Sequence, residues 1–264
     1  MNIEVRDISF AYNSKPVFDH FSLDLNLHWN GRPLVILGSS GCGKTTLLKL
    51  LGGLLKPFNG SIVKSCEDEP KIESEGGRRE TIKEEEGTGL SRVSIIFQET
   101  RLLPWLTVLE NVRLPLEKDF GREEADERAR YFLSLFSLAG KECARPGELS
   151  GGEAQRVSMA RAFAWPSELL LMDEPFQSMD IPLRINLMAF SLSLLEKEKR
   201  HLIAVTHDPR EAVFLGGRII ILGKPGQGIV FDKNVELSQE ERAWGSSAAR
   251  GLEREMIGAL GNTK

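Results

Sequence analysis

The chain has 264 residues, 41% hydrophobic and 27% charged, which is ordinary for a water-facing globular protein at the upper edge of one domain. Its 34 basic and 38 acidic residues leave a net charge of −4, which argues against a dedicated nucleic-acid binder with a basic face. No apolar run approaches the roughly 18 residues that span a bilayer, and the opening "MNIEVRDISFAY" lacks the pattern of a signal peptide, so a membrane role has to come through a partner. Cys42, Cys66 and Cys143 stand far apart with no metal-type spacing, a sparse count that fits a reducing compartment.

In chain order, "NIEVRDISFAY" alternates apolar and polar residues, as a half-buried strand does, and "FSLDLNLHW" (21–29) repeats the pattern before an Asn30-Gly31 turn signal. "PLVILG" (33–38) reads as a buried strand ending in glycine. "KTTLLKLLGGLL" has helical spacing, with Leu47, Leu48, Leu51 and Leu55 on one face. Residues 66 to 89 hold nine acidic and four basic residues and read as a solvated excursion. "RVSIIFQ" (92–98) returns to strand character.

From 99 to 156 the pattern is helical, with Ala125, Ala129, Phe132, Leu133 and Phe136 on one stripe. A second helix, "EAQRVSMARAFAW", opens just after "LSGG", and Pro166 helps to end it. "ELLLMDEP" (168–175) and "HLIAVTH" (201–207) read as buried strands, "DPREAVFL" as a helix, and "RIIILG" (218–223) with "GIVFD" (228–232) as a closing hairpin. The stretch 238–260 is polar and weakly helical.

The alternation of strand and helix predicts an α/β fold: a P-loop NTPase core with a mainly parallel sheet, an N-terminal antiparallel β part and an inserted α-helical subdomain. The expected organisation is one domain over 1–264. Residues 1–98 and 157–235 form the core, 99–156 the helical insertion and 236–264 a helical tail.

"GSSGCGKT", from Gly38 to Thr45, fits the G-x-x-x-x-G-K-[ST] phosphate loop and lies between a strand and a helix, as that loop requires. Its glycines let successive backbone N–H groups turn inward at phosphate oxygens, and the helix start adds partial positive charge. Gly38, Ser39, Ser40, Gly41, Cys42, Gly43, Lys44, Thr45 and Thr46 are therefore candidate nucleotide contacts. Lys44 is placed to reach the β- and γ-phosphates, and the Thr45 hydroxyl to ligate Mg²⁺. A reachable Cys42 thiol would make nucleotide binding sensitive to alkylation.

Asp173, after an apolar run, is the expected Mg²⁺ partner of such a loop, which frees Glu174 to orient and deprotonate an attacking water. Gln98 closes another strand and offers a neutral oxygen to Mg²⁺ or water. His207 closes a third. Lys44, Thr45, Gln98, Asp173, Glu174 and His207 are thus all expected on one rim of the sheet.

A second glycine turn needs its own explanation. In "LSGGE", Ser150 caps a helix while Gly151 and Gly152 leave N–H groups open, beside Glu153. This turn also suits a γ-phosphate, yet it need not face the nucleotide held by Lys44. A two-fold dimer in which each chain offers its turn to the other's ATP reconciles the two anion sites.

Taken in order, "GSSGCGKTT", Gln98, "LSGGEAQRVSMARAFAWPSELLLMDEP", "SMD" and "THD" resemble the ATP-binding cassette of ABC transporters, over roughly residues 3 to 232. The resemblance implies that Ser150, Gly151, Gly152 and Glu153 belong to a signature motif that contacts the partner's nucleotide. It further implies that Asp173 is the magnesium carboxylate, Glu174 the catalytic base, His207 the switch histidine, Asp180 the D-loop aspartate and Tyr12 the aromatic that stacks on adenine. "LLPWLTVLENV" is similar to importers of the nitrate, sulfonate and taurine group. These likenesses together imply an ATPase using ATP and Mg²⁺ that dimerises on ATP. It would work with integral membrane permease subunits, and indirectly a solute-binding protein, at the cytoplasmic face of the membrane, with no nucleic-acid partner. A cassette serving a soluble assembly complex is the alternative.

Overall fold

The computed structural model describes residues 1–27, 32–65, 92–177 and 179–261. The Asn30-Gly31 turn, the acidic 66–89 segment and Ser178 of "SMD" lie outside the described residues. Strands β1 (Asn2–Tyr12) and β2 (Lys15–Asn26) pair antiparallel across Asn13 and Ser14, both at positive φ (46° and 66°), as a tight hairpin turn demands. β2 begins six residues before the expected strand at Phe21. The expectation missed "KPVFDH" because Pro16 and the charges interrupt the alternation. Pro16 is tolerated because β2 is a sheet edge.

β3 (Leu34–Gly38) leads through the glycine-rich loop into α1 (Lys44–Leu51). β4 (Asn59–Ser65) pairs with the other side of β1, making the order β2-β1-β4. β4 was not expected, because Asn59-Gly60 reads as a turn. β5 (Val93–Ile96) precedes a helical segment of α2 (Val108–Arg113), α3 (Glu117–Phe120), α4 (Arg122–Leu135) and α5 (Gly151–Ala164). The stripe Ala125, Ala129, Phe132, Leu133 and Phe136 is buried there as expected, and α5 runs unbroken through residue 156. Then come β6 (Leu169–Asp173), α6 (Ile181–Glu198), β7 (His201–Thr206), α7 (Pro209–Leu215), β8 (Arg218–Leu222), β9 (Ile229–Asn234) and α8 (Ser247–Gly261).

Among the described residues the second sheet has the order β5-β6-β7-β3-β8-β9, parallel except for β9, which forms the expected hairpin with β8. Its inner strands β3, β6, β7 and β8 are covered on both faces and are accordingly almost wholly apolar. Side-chain parity divides two cores. Leu34 and Ile36 of β3, with Leu169 and Leu171 of β6, pack towards α1 and the antiparallel sheet. Val35, Leu37, Leu170 and Met172 pack towards the helical side, where Phe132 and Phe163 sit. Among the described residues no helix is long and apolar enough to cross a membrane.

Arg242 ties the C-terminal segment to this core. Its buried guanidinium donates to the carbonyls of Leu237 (2.8 Å), Val213 (2.9 Å), Val235 (2.6 Å) and Gly216. α8 then packs on α7 through Ala249, Leu252 and Met256. Arg242→Ala would strand several buried carbonyls, and we expect it to lower unfolding stability by about 3 kcal/mol, read from urea denaturation.

Candidate nucleotide site

The carboxyl ends of β3, β5, β6 and β7 open onto a cleft of about 930 Å³. Gly38–Gly41, Lys44 and Thr45 line one side, and Gln98, Glu174, Gln177 and His207 the other. Gly43 caps α1 at φ 108°, a conformation that side-chain-bearing residues rarely adopt. A Cβ there would also lie 2.9 Å from Val17 and 3.0 Å from Phe18, so β2 presses directly on the loop. At Gly38 a Cβ would lie 2.6 Å from Cys42 Sγ and 2.9 Å from the Leu222 carbonyl. Thr46 is buried behind the loop.

Lys44 is almost wholly buried. Its ammonium donates to the carbonyls of Gly38 (2.8 Å) and Ser39 (3.0 Å), with Glu174 Oε1 at 4.0 Å. Thr45 donates its hydroxyl hydrogen to Asp173 Oδ1 at 3.1 Å. Parity explains this contact: Asp173 follows Leu169 and Leu171 on the α1 face of β6. Burial pushes the Asp173 carboxyl up, opposed by the Thr45 hydrogen bond. Glu174 would by parity point away, but it sits at φ 47°, and its N–H donates to the Val205 carbonyl at 2.9 Å. That left-handed residue turns the second carboxylate into the same cleft.

Around Glu174 Oε2 several groups meet. His207 Nδ1 lies 2.9 Å away, and Gln177 Nε2 donates to the same oxygen. Gln177 Oε1 in turn accepts from Gln98 Nε2 at 3.0 Å. The six rim residues expected from the sequence are therefore brought together. Gln177 was not anticipated, although a polar residue three positions after Glu174 was a visible signal. Lys224 and the last turn of α8, through Ile257, Leu260 and Gly261, also line the cleft. Nothing in the α8 pattern foretold where that helix docks.

The other candidates lie elsewhere. Tyr12 ends β1, partly exposed, edge-on to Phe10 at 5.0 Å, and is not part of the cleft lining. Asp180 caps α6, accepting from the Leu183 N–H at 2.9 Å. Ser150 caps α5 in a capping box with Glu153: Ser150 Oγ accepts from the Glu153 N–H (3.2 Å), and Glu153 Oε2 accepts from the Ser150 N–H (2.9 Å). Those bonds, with Lys141 at 3.0 Å, hold the Glu153 carboxyl down at about 2. Ser150 is exposed, the Cβ positions of Gly151 and Gly152 face open space, and none of the four lines the cleft of its own chain.

Cys42 is buried under the loop, and burial pushes its thiol up, so the condition for alkylation sensitivity is not met. Its contribution to phosphate binding is limited to its backbone. The donor set suits a hard divalent cation: a hydroxyl (Thr45), a carboxylate (Asp173) and an amide oxygen (Gln98). Among the described residues no cluster of three or more His, Cys, Asp or Glu could hold a metal alone, so a cation here would need further ligands such as phosphate and water.

A curled glycine loop around a buried lysine, with two carboxylates opposite, defines a P-loop nucleotide-binding protein. Similarity to known proteins narrows this class. The family model described as ABC transporter matches residues 19–177. An aliphatic sulfonates import ATP-binding protein of Rhodococcus jostii is 38% identical over 259 residues, covering 98% of this chain and 93% of that protein. An uncharacterised ABC transporter ATP-binding protein of Methanocaldococcus jannaschii is 38% identical over 220 residues, covering 83% of this chain and 76% of that protein. A solved dimeric ATP-binding cassette in a post-hydrolysis state bound to ADP and Pi matches with a TM-score of 0.70 at 28% identity, covering 89% of this chain and all of that one. The chain belongs to the ABC transporter family, and within it is an ATP-binding ATPase.

From the burial of Cys42, N-ethylmaleimide should label exposed Cys143 at least about tenfold faster than Cys42 in the native protein. Peptide mass mapping before and after denaturation checks this.

Proposed function

We propose that two copies of this chain close around two ATP molecules and power a membrane permease that imports a small anion of the sulfonate, taurine or nitrate kind. The observation that carries the dimer is the division of the anion-binding groups. Lys44, Thr45, Asp173, Glu174 and His207 share one cleft, while the Ser150–Gly152 turn stands exposed outside it. The solved neighbour of 28% identity is a dimer bound to ADP and Pi, which supports the same arrangement here. Several relatives that cover most of this chain are described as aliphatic sulfonates import ATP-binding proteins, which supports the substrate class and a place at the inner face of the membrane.

In this reading the loop N–H groups and Lys44 hold the β- and γ-phosphates, and Lys44 exchanges its two carbonyl partners for phosphate oxygens. Thr45, Asp173 and Gln98 would hold Mg²⁺, which would supply positive charge against the phosphates. Glu174 orients a water and takes its proton as the water oxygen bonds to the γ-phosphorus and the bond to ADP breaks. The His207 ring steadies Glu174 Oε2. Tyr12 carries the adenine ring, and Asp180 fixes the start of α6 beside the catalytic turn. The partner's Ser150, Gly151 and Gly152 close over the γ-phosphate. Residues 99–156 act as the moving helical subdomain, the core spans 1–98 and 157–235, and 236–264 forms the tail. Leu103, Trp105 and Leu106 mark the permease-facing surface, where Trp105 is 67% exposed.

Glu174→Gln should lower kcat by at least about 100-fold while keeping ATP binding, and should convert the chain to ATP-dependent dimers on size-exclusion chromatography. Normal phosphate release by this variant overturns the assignment of the base. Ser150→Arg should leave ATP affinity of the single chain within about twofold while abolishing those dimers, since the site lies outside the chain's own cleft. For the transport reading, the chain should co-purify from membranes with a multi-span protein and drive uptake of labelled taurine or an alkanesulfonate in proteoliposomes. A purely water-soluble complex overturns it.

A further inference from the structure

Gln177 lies in the turn between β6 and α6, three residues past Glu174, with its side chain exposed to the cleft. Hydrogen-bond chemistry fixes which way its amide points. A charged carboxylate only accepts, so the group facing Glu174 Oε2 is the NH₂. The Gln177 carbonyl oxygen therefore faces Gln98 and receives the Gln98 Nε2 hydrogen at 3.0 Å. That bond turns the carbonyl oxygen of Gln98 away from Gln177. By the same logic His207 Nδ1, 2.9 Å from Glu174 Oε2, carries its ring proton and donates it. Gln177 Nε2 also lies 2.9 Å from that same Nδ1; with Nδ1 carrying its proton the two nitrogens do not bond each other, and the carboxylate oxygen takes a hydrogen from each. Flipping the Gln177 amide would set its oxygen against the carboxylate and leave Gln98 donating to an NH₂ group.

We propose that Gln177 is a positioning residue: through one amide it makes the negative charge on Glu174 dictate how Gln98 is presented to the nucleotide. The relay runs from the Glu174 carboxylate through the Gln177 amide to the Gln98 amide, whose carbonyl oxygen is left as the free acceptor-side group of the chain. It links the end of β6 to the residue that comes after β5 and opens the helical segment. A base on one strand and a cation-facing oxygen on another are thereby set by a single side chain. The proposal rests on the reading of Glu174 as the base.

Gln177→Leu keeps the bulk and removes both hydrogen bonds. It should leave the Kd for a fluorescent ATP analogue within about twofold and reduce kcat about tenfold or more, a split that fits the loss of a hydrogen bond to a charged group. It should also weaken Mn²⁺ binding in the presence of a non-hydrolysable ATP analogue severalfold, read from the EPR signal of free Mn²⁺. In that binding assay the double variant Gln98→Ala, Gln177→Leu should lose no more than the worse single variant. Gln177→Glu, which puts a second carboxylate against Glu174, should reduce kcat further than Gln177→Leu. Wild-type kcat and Mn²⁺ affinity for Gln177→Leu, or additive losses in the double variant, would overturn the proposal. Glu174→Gln run in parallel separates the two readings. If it turns over normally, the base assignment fails and Gln177 stands or falls by Mn²⁺ affinity. If it is inactive while Gln177→Leu behaves as wild type, only the relay fails.

Discussion

Everything at this site is arranged around one buried ammonium. Lys44 is 6% exposed, bound to the carbonyls of Gly38 and Ser39, with its nearest carboxylate oxygen 4.0 Å away. An ion withdrawn from water to this degree costs several kcal/mol unless polar groups surround it. The loop meets this cost by curling its own carbonyls around the charge, and that curl needs Gly43 at φ 108°. The curl is held in turn by Val17 and Phe18, which press against Gly43 from β2. The antiparallel sheet, far from any chemistry in sequence terms, is thus the wedge that shapes the phosphate loop. A polyphosphate offers Lys44 better partners than two peptide carbonyls, since ionised oxygens add opposite charge to the ammonium where the carbonyls offer only dipoles.

The two carboxylates reach the same cleft by different routes. Asp173 arrives by strand parity, one step beyond Leu171 on the face that packs against α1. Parity alone would send Glu174 to the helical side. The left-handed backbone at Glu174 (φ 47°), pinned by its N–H to the Val205 carbonyl of β7, overrides it. A non-glycine residue in that region is strained by of order 1 kcal/mol or more, and such strain persists where surrounding contacts over-determine it. Here the surroundings are Gln177, His207 and Lys44, all on the same side chain.

Much of the architecture was legible because burial imposes period. β3, β6, β7 and β8 are covered on both faces, so each is an unbroken apolar run that stands out in the sequence. The stripe from Ala125 to Phe136 was legible for the same reason, as a helix with one buried face. The elements that escaped notice are those where pattern carries no information. β4 contributes a solvent-lapped edge strand opened by Asn59-Gly60, and its identity depends on pairing with β1, a non-local contact. The first part of β2 hides behind Pro16, which only an edge strand allows. In the site, residues in the phosphate loop and at strand ends were legible from the chemistry they imply. Gln177 was not, because its role lies in which atoms of Glu174, His207 and Gln98 its amide meets. The reach of α8 into the cleft depends on docking through Arg242 and α7, which no local periodicity encodes.

The turn at Ser150 shows how a capped helix start can keep N–H groups for a second use. Its oxygen accepts the Glu153 N–H while its hydroxyl interacts with the Glu153 carboxylate, so the side chain serves the cap. Glu153 accepts from the Ser150 N–H, from Lys141 and from the Ser150 hydroxyl, so its carboxylate holds the cap together from three sides. What remains at the start of α5 is the N–H groups of Gly151 and Gly152 and the positive end of a 14-residue helix. In the proposed dimer this turn would be half of an anion site, built on open surface, in a chain whose other half-site is a loop holding a lysine. Under the proposed dimer the γ-phosphate supplies the charge that both halves require. Cleaving the phosphate divides that charge between ADP and a departing ion. In that dimer the pair would lose the group that joins it once the ion departs, which would turn the breaking of one P–O bond into a separation of two whole domains.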